Sequence, residues 1–304
     1  MQGAQSVLLQ AMAPRVLMIE QALAADVLRI RELRCSGAAD GAQIAVIAAL
    51  CDLITRPAKR VRSALMCVVA EAYGHPWDEA ISELAVSLEW LQVYLLVHDD
   101  WMDHDDVRRG GPSVPAMMRA SFPQHADAAA VLAGDLAHAF AQEALVRAVQ
   151  RGAPVACYEV FAHMHAEVVL GQLSDVLVEG DSLVQVELRY AQKTASYTTV
   201  GPMRLGALFG APPEAQEHIA RAALLLGVAF QIRDDVLGVE RDEREQKNTW
   251  VRVRGALGID ALQAAASRIR VLVQDALAVM PAPVMAGPSA DVVRALCTYL
   301  LETA

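Results

Sequence analysis

The stretch HDDWMDHDDVRRGG at 98–111 crowds acidic and basic side chains into one short segment. Asp99 and Asp103 are four residues apart, so on a helix their carboxylates project from one face, one turn apart. Like charges at that spacing repel each other, and a hard cation compensates them directly. Mg²⁺ takes oxygen ligands, prefers few carboxylates and commonly completes its shell with phosphate oxygens of a substrate. The acidic part of this stretch is therefore predicted to bind Mg²⁺.

The alternative interpretation is a solvated acidic helix end, because runs of charge are usually exposed. Two features argue against it: the cluster follows the apolar residues 95–97, and aspartate at a helix carboxyl terminus opposes the macrodipole. A second cluster, QIRDDVLGVERD at 231–242, also follows a strongly apolar helical segment and contains the pair Asp234 and Asp235. We expect two groups of carboxylates that face each other across a cavity, with a metal-bound diphosphate between them.

Basic side chains accompany the acidic ones. Arg108 and Arg109 follow the first cluster directly, and guanidinium groups bind phosphate oxygens through a fixed fork of donors. Upstream, the segment RPAKRVRS at 56–63 contains Lys59 and Arg62, which are three residues apart and share one helical face. Taken alone, that segment could equally be a solvated basic helix start. The isolated cations Lys193 and Lys247, taken singly, are typical of surface residues.

Composition restricts the class of protein. The chain has 304 residues, is 55% hydrophobic and carries a net charge of −10. The acidic balance argues against a nucleic-acid-binding protein. Five cysteines without a CxxC pair favour free thiols in a reducing compartment. No signal peptide is evident, and apolar stretches such as 222–230 are too short to span a bilayer. We expect a cytoplasmic protein without an integral membrane segment.

The apolar periodicity and the breaks between segments predict one all-α domain over residues 1–304. Apolar residues recur at spacings of three and four, and the breaks between segments contain glycine or proline. Segments 78–100 and 214–233 are apolar on most sides, which is typical of helices at the centre of a bundle. The predicted helices cover 6–33, 42–55, 59–73, 78–103, 126–150, 155–178, 184–209, 214–240, 256–280 and 289–302.

These motifs together resemble a known family. HDDWMDHDDVRRG is similar to the first aspartate-rich motif of trans-isoprenyl diphosphate synthases, DDxxD followed by RRG, and QIRDD at 231–235 resembles the second motif. AKRVRS at 58–63, LAGD at 132–135 and QKTASYT at 192–198 resemble three further elements, in the family's order. The resemblance implies an orthogonal helical bundle with a deep central cavity, normally a homodimer. It also implies a reaction, the Mg²⁺-dependent condensation of isopentenyl diphosphate with an allylic diphosphate.

The resemblance implies a role for each matching position. Three Mg²⁺ ions would be held by Asp99, Asp103 and Asp234, with Asp100 in support. The allylic diphosphate would be gripped by Arg108, Lys193 and Lys247. Isopentenyl diphosphate would be held by Lys59, Arg62, Gln92 and Arg109. Dipoles near the developing allylic cation would come from Lys193, Thr194 and Gln231. No basic side chain is required for proton loss, because the released diphosphate can accept the proton.

Bulk just upstream of the first aspartates limits product length in this family. Tyr94 and Leu95 lie five and four residues before Asp99, so both can point down the cavity below the metals. The resemblance then implies a product of geranylgeranyl (C20) or farnesyl (C15) length. The alternative is that Tyr94 is an ordinary core tyrosine with a satisfied hydroxyl.

The sequence also departs from the family pattern. Pro57 and Ala58 replace two glycines, and Ser63 stands where the family has proline. Gly238 takes the place of the last carboxylate of the second motif, and the segment 243–250 is shorter than usual. Two other functions therefore stay open. A class I terpene cyclase would share the first aspartates but would not need an isopentenyl site, and a regulatory subunit would be catalytically silent.

Overall fold

The structure is a computed structural model that describes residues 2–35, 40–177, 182–244, 249–256 and 260–302. Helices dominate these residues, so the predicted all-α class is confirmed. The α-helices are α1 (Gln2–Arg34), α2 (Gly41–Thr55), α3 (Val61–Ala72), α4 (Glu79–Met102), α5 (Val114–Ser121), α6 (Ala126–Gln150), α7 (Cys157–Leu177), α8 (Leu183–Tyr190), α9 (Gly201–Ala207), α10 (Pro213–Arg244), α11 (Trp250–Ala256), α12 (Ala261–Val279) and α13 (Gly287–Leu301).

Three details differ from the sequence prediction. The predicted helix 184–209 consists of α8, a π-helix at Ala191–Val200 and α9. The predicted helix 256–280 begins only at Ala261, and α11 precedes it. The predicted break at Gly110 to Pro115 falls within a hairpin of two short antiparallel strands, β1 (Val107–Arg108) and β2 (Gly111–Pro112), and the start of α5. Ser113 caps α5 by accepting a hydrogen bond from the backbone N–H of Ala116.

The described residues form two compact units. We call residues 14–64 and 77–153 the first-motif unit, and residues 1–13, 65–76 and 154–304 the second-motif unit. Two predictions concern the chain as a whole, namely one domain and a central cavity between the motifs. Both stay predictions.

The first-motif unit is built around the pairing of α4 with α6. Asp78 caps the start of α4 by accepting from the backbone N–H of Ile81, which fixes where the helix begins. At the core, the rings of Trp90 and Phe140 meet edge to face with centroids 5.1 Å apart. The indole N–H of Trp90 donates to Asp26 over 2.7 Å, so even the polar atom of this buried ring has a partner. This packing holds the carboxyl end of α4 in place.

The second-motif unit packs the π-helix tightly between α7 and α10. A Cβ atom at Gly171 of α7 would lie 2.2 Å from the backbone nitrogen of Lys193. A Cβ atom at Gly227 of α10 would lie 2.4 Å from the Cβ of Ala195. Only glycine allows such close approaches, so these two positions determine where the π-helix and its polar side chains lie.

By length and composition alone, two helical stretches could cross a membrane, Gly3–Arg34 and Glu79–Met102. The most apolar window of Glu79–Met102 is 67% buried, as expected for a core helix, whereas that of Gly3–Arg34 is 28% buried. Core helices of soluble proteins pass the same test. The absence of an integral membrane segment stays a prediction.

Candidate active site

The end of α4 displays the first aspartates in a defined geometry. The backbone N–H of Asp103 donates to the carbonyl oxygen of Asp99 over 2.8 Å, so the two residues are one helical turn apart, as predicted. His104 has a φ of 57°, and the N–H of Asp105 donates to the carbonyl oxygen of Asp100 over 2.9 Å. This is a Schellman motif, with histidine at the left-handed position that glycine usually occupies. The chain turns sharply there, directly after the last aspartate of the motif.

Asp100 is engaged within the protein. Its carboxyl group is fully buried, and Oδ1 accepts hydrogen bonds from both Nε and Nη2 of Arg108, the former over 2.7 Å. Burial raises the pKa of Asp100 to about 6, although the bonds to Arg108 oppose the shift. Among the described residues, Oδ2 of Asp100 has no hydrogen-bond partner. Arg108 also donates to Asp105 over 3.0 Å. The structure thus places Arg108 against Asp100 and Asp105. The sequence, by contrast, predicts that Arg108 binds the allylic diphosphate.

Arg109 and Gly110 form the two-residue turn of the hairpin. Their φ angles are 52° and 76°, and Arg108 pairs with Gly111 across the turn. Two successive left-handed residues are typical of a type I′ turn, which matches the twist of the strands that it joins. An arginine in this conformation costs on the order of 1–2 kcal/mol. Strained residues of this kind persist where the surroundings determine them, often at functional sites.

The turn directs the guanidinium group of Arg109 inward. Its Nη1 donates to the carbonyl oxygen of Leu53 over 3.2 Å, and its buried Nη2 has no acceptor among the described residues. Burial lowers the pKa of Arg109 to about 10, with Glu89 opposing the decrease and Arg60 and Arg62 adding to it. A buried donor without a partner is costly, and an anionic ligand would satisfy it. The position therefore suits the phosphate-binding role that was predicted for Arg109.

Arg56 fixes the hairpin to α2. Its Nη1 donates to the carbonyl oxygens of Arg108 and Pro112 over 2.7 and 2.9 Å, and its Nε donates to Asp52 over 3.1 Å. A Cβ atom at Gly111 would lie 2.7 Å from Cζ of Arg56. The second glycine of the RRGG segment is therefore needed for this close approach. Sequence reasoning did not single out Arg56.

Arg60 is the arginine of the segment 56–63 that the structure buries most. Its φ is 49°, and its guanidinium group donates to Glu89 over 2.8 Å and to Glu20 over 2.7 Å. Ser63 Oγ donates to the other oxygen of Glu89 over 2.7 Å. Proline could not make that bond, so serine at this departure from the family pattern has a structural role. Beside this buried network, Lys59 is exposed and Arg62 is half-buried.

Aromatic rings line the side of α4 below the aspartates. The ring of Tyr94 lies 4.8 Å from that of His98 and 5.1 Å from that of His138 on α6. Nε2 of His98 lies 3.1 Å from the carbonyl oxygen of Val131. This places Tyr94 at the interface of α4 and α6, in a position compatible with its predicted role in limiting chain length. Gln92 and Leu95 are half-buried on the same helix.

The second motif has Asp235 at its centre. This residue is buried, and Oδ2 accepts from the hydroxyl of Tyr190 and from the backbone N–H of Trp250, the latter over 3.1 Å. Oδ1 accepts from Nε2 of Gln231 over 3.0 Å, and Oε1 of Gln231 accepts from the hydroxyl of Thr194 over 2.7 Å. The structure therefore brings together the predicted residues Thr194 and Gln231. The preceding aspartate, Asp234, is half-buried.

Lys193 has an acidic partner that sequence reasoning missed. Its ammonium group donates to Asp175 on α7, and that carboxylate also lies 3.2 Å from Nε of Arg189. The sequence signal was Gly171, an isolated glycine in an apolar helix, four residues before Asp175. Gly238 lies in α10, whereas Lys247 and the side chain of Asp242 lie outside the described residues. The role predicted for Lys247 therefore stays a prediction.

The described side chains suit Mg²⁺ by their chemistry. Asp99 and Asp103 offer hard carboxylate oxygens, and the unpartnered, buried oxygen of Asp100 beside them would gain from a nearby positive charge. Among the described residues, no group of three or more His, Cys, Asp or Glu side chains could hold an ion alone. Asp99 and Asp103 would hold the metal on the first-motif unit, and Asp234 stays the predicted ligand of the second motif.

Comparisons with known proteins found prenyl diphosphate synthases of similar sequence. The geranylgeranyl diphosphate synthase of Methanosarcina mazei is 32% identical over 195 residues, which are 63% of this chain and 58% of that protein. The (2E,6E)-farnesyl diphosphate synthase of Mycobacterium tuberculosis is 34% identical over 184 residues, which are 60% of this chain and 49% of that protein. The chain thus spans only about half the length of these curated relatives.

The fold is that of solved prenyl synthases. A geranylgeranyl pyrophosphate synthase from Corynebacterium glutamicum, complexed with isoprenyl diphosphate and magnesium, superposes with a TM-score of 0.81 at 24% identity, covering 94% of this chain and 98% of that one. The enzyme from Pyrococcus horikoshii gives 0.78 at 21% identity. The family model described as polyprenyl synthetase matches residues 45–251, which include both aspartate motifs. The chain belongs to the polyprenyl synthetase family.

Proposed function

We propose that this chain is a short-chain trans-prenyltransferase. It condenses isopentenyl diphosphate with an allylic diphosphate and depends on Mg²⁺, and its product is geranylgeranyl or farnesyl diphosphate. The observation that carries the proposal is the buried cationic group around Arg109. There Nη2 of Arg109, which has no acceptor among the described residues, lies near Arg60 and Arg62. The neighbouring Arg108 donates to Asp100 of the first motif. An anion-binding site next to a carboxylate cluster is what two diphosphates and their metal require.

The roles of the chain's own residues follow from this proposal. Arg109, Arg62 and Lys59 bind and orient isopentenyl diphosphate, while Arg108 holds the first motif in position. Bound Mg²⁺ supplies charge neutralisation for the departing diphosphate. The hydroxyl of Thr194 and the amide oxygen of Gln231 stabilise positive charge that develops on the allylic carbon. Apolar helix surfaces keep water from that cation.

The relatives support the reaction class more than the product length. They include synthases of geranylgeranyl, farnesyl, geranylfarnesyl and nonaprenyl diphosphates. We base the C20 or C15 product on Tyr94, whose ring packs against two histidines below the first motif. A homodimer and a cytoplasmic location are further parts of the proposal, based on the resemblance and on the composition.

A product assay tests this function. The purified protein would be incubated with Mg²⁺, isopentenyl diphosphate and, in separate reactions, dimethylallyl, geranyl or farnesyl diphosphate. The alcohols obtained after dephosphorylation would be sized by mass. We expect a C20 or C15 alcohol that is lost in Asp99→Ala but kept in Asp291→Ala, a control whose side chain is 71% exposed. Cyclic hydrocarbon formed without isopentenyl diphosphate would instead indicate a terpene cyclase. No product from any primer would indicate a regulatory subunit.

A further inference from the structure

We propose that Tyr190 is a positioning residue of the active site. It holds Asp235 in the orientation that keeps the side-chain amide of Gln231 directed at Thr194. The inference rests on the proposed function, because it assigns to Tyr190 the orientation of two groups that face the developing cation. Neither the motifs nor the spacing of charges singled out this tyrosine.

Hydrogen bonds from three separate parts of the second-motif unit converge on Asp235. Tyr190, the last residue of α8, donates its hydroxyl hydrogen to Oδ2. Trp250, the first residue of α11, donates its backbone N–H to the same oxygen over 3.1 Å and to the tyrosine oxygen over 2.8 Å. Gln231, one turn earlier on α10, donates to Oδ1 over 3.0 Å. Asp235 is only 2% exposed, so these bonds lie in a site from which water is largely excluded.

The chemistry of the carboxylate determines the orientation of the amide. An ionised carboxylate only accepts hydrogen bonds, so the NH₂ group of Gln231 must face Asp235. The amide oxygen then faces Thr194, whose hydroxyl donates to it over 2.7 Å. A flipped amide would place two acceptors against each other at Asp235 and would lose the bond from Thr194. The orientation of both cation-facing groups therefore depends on how firmly Asp235 is held.

Tyr190 is placed to supply that constraint. Its ring is 6% exposed, and it lies three residues before Lys193 and four before Thr194, at the junction of α8 with the π-helix. Its hydroxyl accepts from Trp250 while it donates to Asp235, so its own direction is fixed. One phenol thus ties the start of the π-helix, which carries Lys193 and Thr194, to α10, which carries Gln231.

The test is Tyr190→Phe, which keeps the ring and removes only the hydroxyl. We expect kcat to fall about tenfold, the loss of one hydrogen bond to a charged group, with KM for both diphosphates within about twofold. The matched control is Tyr158→Phe, an exposed tyrosine on α7, which should leave both parameters unchanged. Equal thermal midpoints for the variant and the wild type would show that the folded fraction has not changed.

A second arm separates positioning from a general structural role. In a Gln231→Leu background, Tyr190→Phe should have no further effect on kcat, because the amide that it orients is gone. Full additivity of the two substitutions would overturn the proposal, and so would an unchanged kcat in Tyr190→Phe. Hydrogen exchange at the amide of Trp250 gives a readout that needs no activity. We expect faster exchange in Tyr190→Phe, and unchanged exchange would overturn the inference. This readout does not require a product. A wild type that forms no product would contradict only the proposed function.

Discussion

Arg108 and Asp100 join the hairpin to the end of α4, with Nε of the arginine 2.7 Å from Oδ1 of the fully buried carboxylate. Asp235 has the corresponding place in the second motif, where Tyr190, Gln231 and the backbone N–H of Trp250 donate to it. In both motifs the second aspartate is thus committed to contacts within the protein. The half-buried first aspartates, Asp99 and Asp234, are the ones to which we assign metal binding.

Asp100→Asn should weaken the response to Mg²⁺. The substitution removes the negative charge that holds Arg108, and loss of such a supporting contact typically costs 10–100-fold in metal affinity or activity. We expect the Mg²⁺ concentration that gives half-maximal rate to rise by about that factor. Asp105→Asn is the matched control, because Asp105 also pairs with Arg108. Its side chain is 48% exposed, and ion pairs with exposed partners contribute little to stability. Similar Mg²⁺ curves for the two variants would contradict the special role of Asp100.

Tyr94→Ala should lengthen the product. Removal of the phenol opens space beside His98 and His138, where the growing chain would otherwise meet the ring. We expect alcohols at least one isoprene unit longer than those of the wild type, measured by mass after dephosphorylation. Tyr158→Ala, on the exposed side of α7, should keep the wild-type distribution. An unchanged distribution in Tyr94→Ala would mean that Tyr94 is an ordinary core residue.

His138 should make the stability of the protein depend on pH. Burial lowers the pKa of His138 below its ordinary value of 6.5, with Asp135 opposing the shift and His98 adding to it. Its ring also faces Tyr94 and lies 3.2 Å from Nε2 of Gln142. A histidine of lowered pKa is protonated more readily in the unfolded chain. Its stabilising contribution is therefore complete above pH 6.5 and is lost as pH falls from there through the folded pKa.

His138→Gln should remove this dependence. Urea unfolding at pH 7.5 and at pH 5.5 would give the loss of unfolding free energy for each protein, and we expect a smaller loss in the variant. His163→Gln, at an exposed position on α7, serves as the control and should match the wild type. If the wild type lost no more unfolding free energy between pH 7.5 and pH 5.5 than His138→Gln, burial of the His138 ring would not contribute to the pH dependence of stability.

Gly171→Ala should destabilise the fold, because the added Cβ would lie 2.2 Å from the backbone nitrogen of Lys193. Backbone cannot yield as a flexible side chain can, and overpacking of this kind costs about 1–3 kcal/mol, which lowers Tm by about 2–5 °C in a chain of this length. Gly255→Ala is the matched control, since no described atom lies within 4 Å of its added Cβ. Its Tm should stay the same or rise slightly, as alanine favours helix. Equal values for the two variants would contradict the close approach.

Local patterns were sufficient to predict most helices. Helix α6 begins and ends where the apolar periodicity and the flanking breaks had placed it, and α4 agrees within one residue at each end. The π-helix could not be predicted in this way, because its residues look helical and its geometry depends on contact with Gly171 and Gly227 from other helices. The short helix α5 was missed because glycine and proline around it indicated a break.

The positions of site residues could be predicted from the motifs. Their hydrogen-bond partners could not, because several of those partners lie far away in the sequence. The spacing of Asp99 and Asp103 predicts that they lie one helical turn apart, and the hydrogen bond between their backbones at the end of α4 shows this separation. By contrast, Arg60 looked equivalent to its neighbours in the sequence. Its left-handed backbone turns it inward to Glu89, a residue 29 positions away. Tyr190, one partner of Asp235, is likewise remote at 45 positions away, so only the structure could distinguish Asp235 from Asp234.

The grip of Arg56 on the hairpin has a mechanical consequence. One guanidinium group ties the carbonyl oxygens of Arg108 and Pro112 to α2, and the chain continues directly from Arg56 into the segment that carries Lys59 and Arg62. The hydrogen bonds of Arg56 therefore couple the position of the turn with Arg109 to that of this basic segment. We expect a displacement of α2 to shift both groups of cations in the same direction, so that the spacing to which a diphosphate would bind changes little.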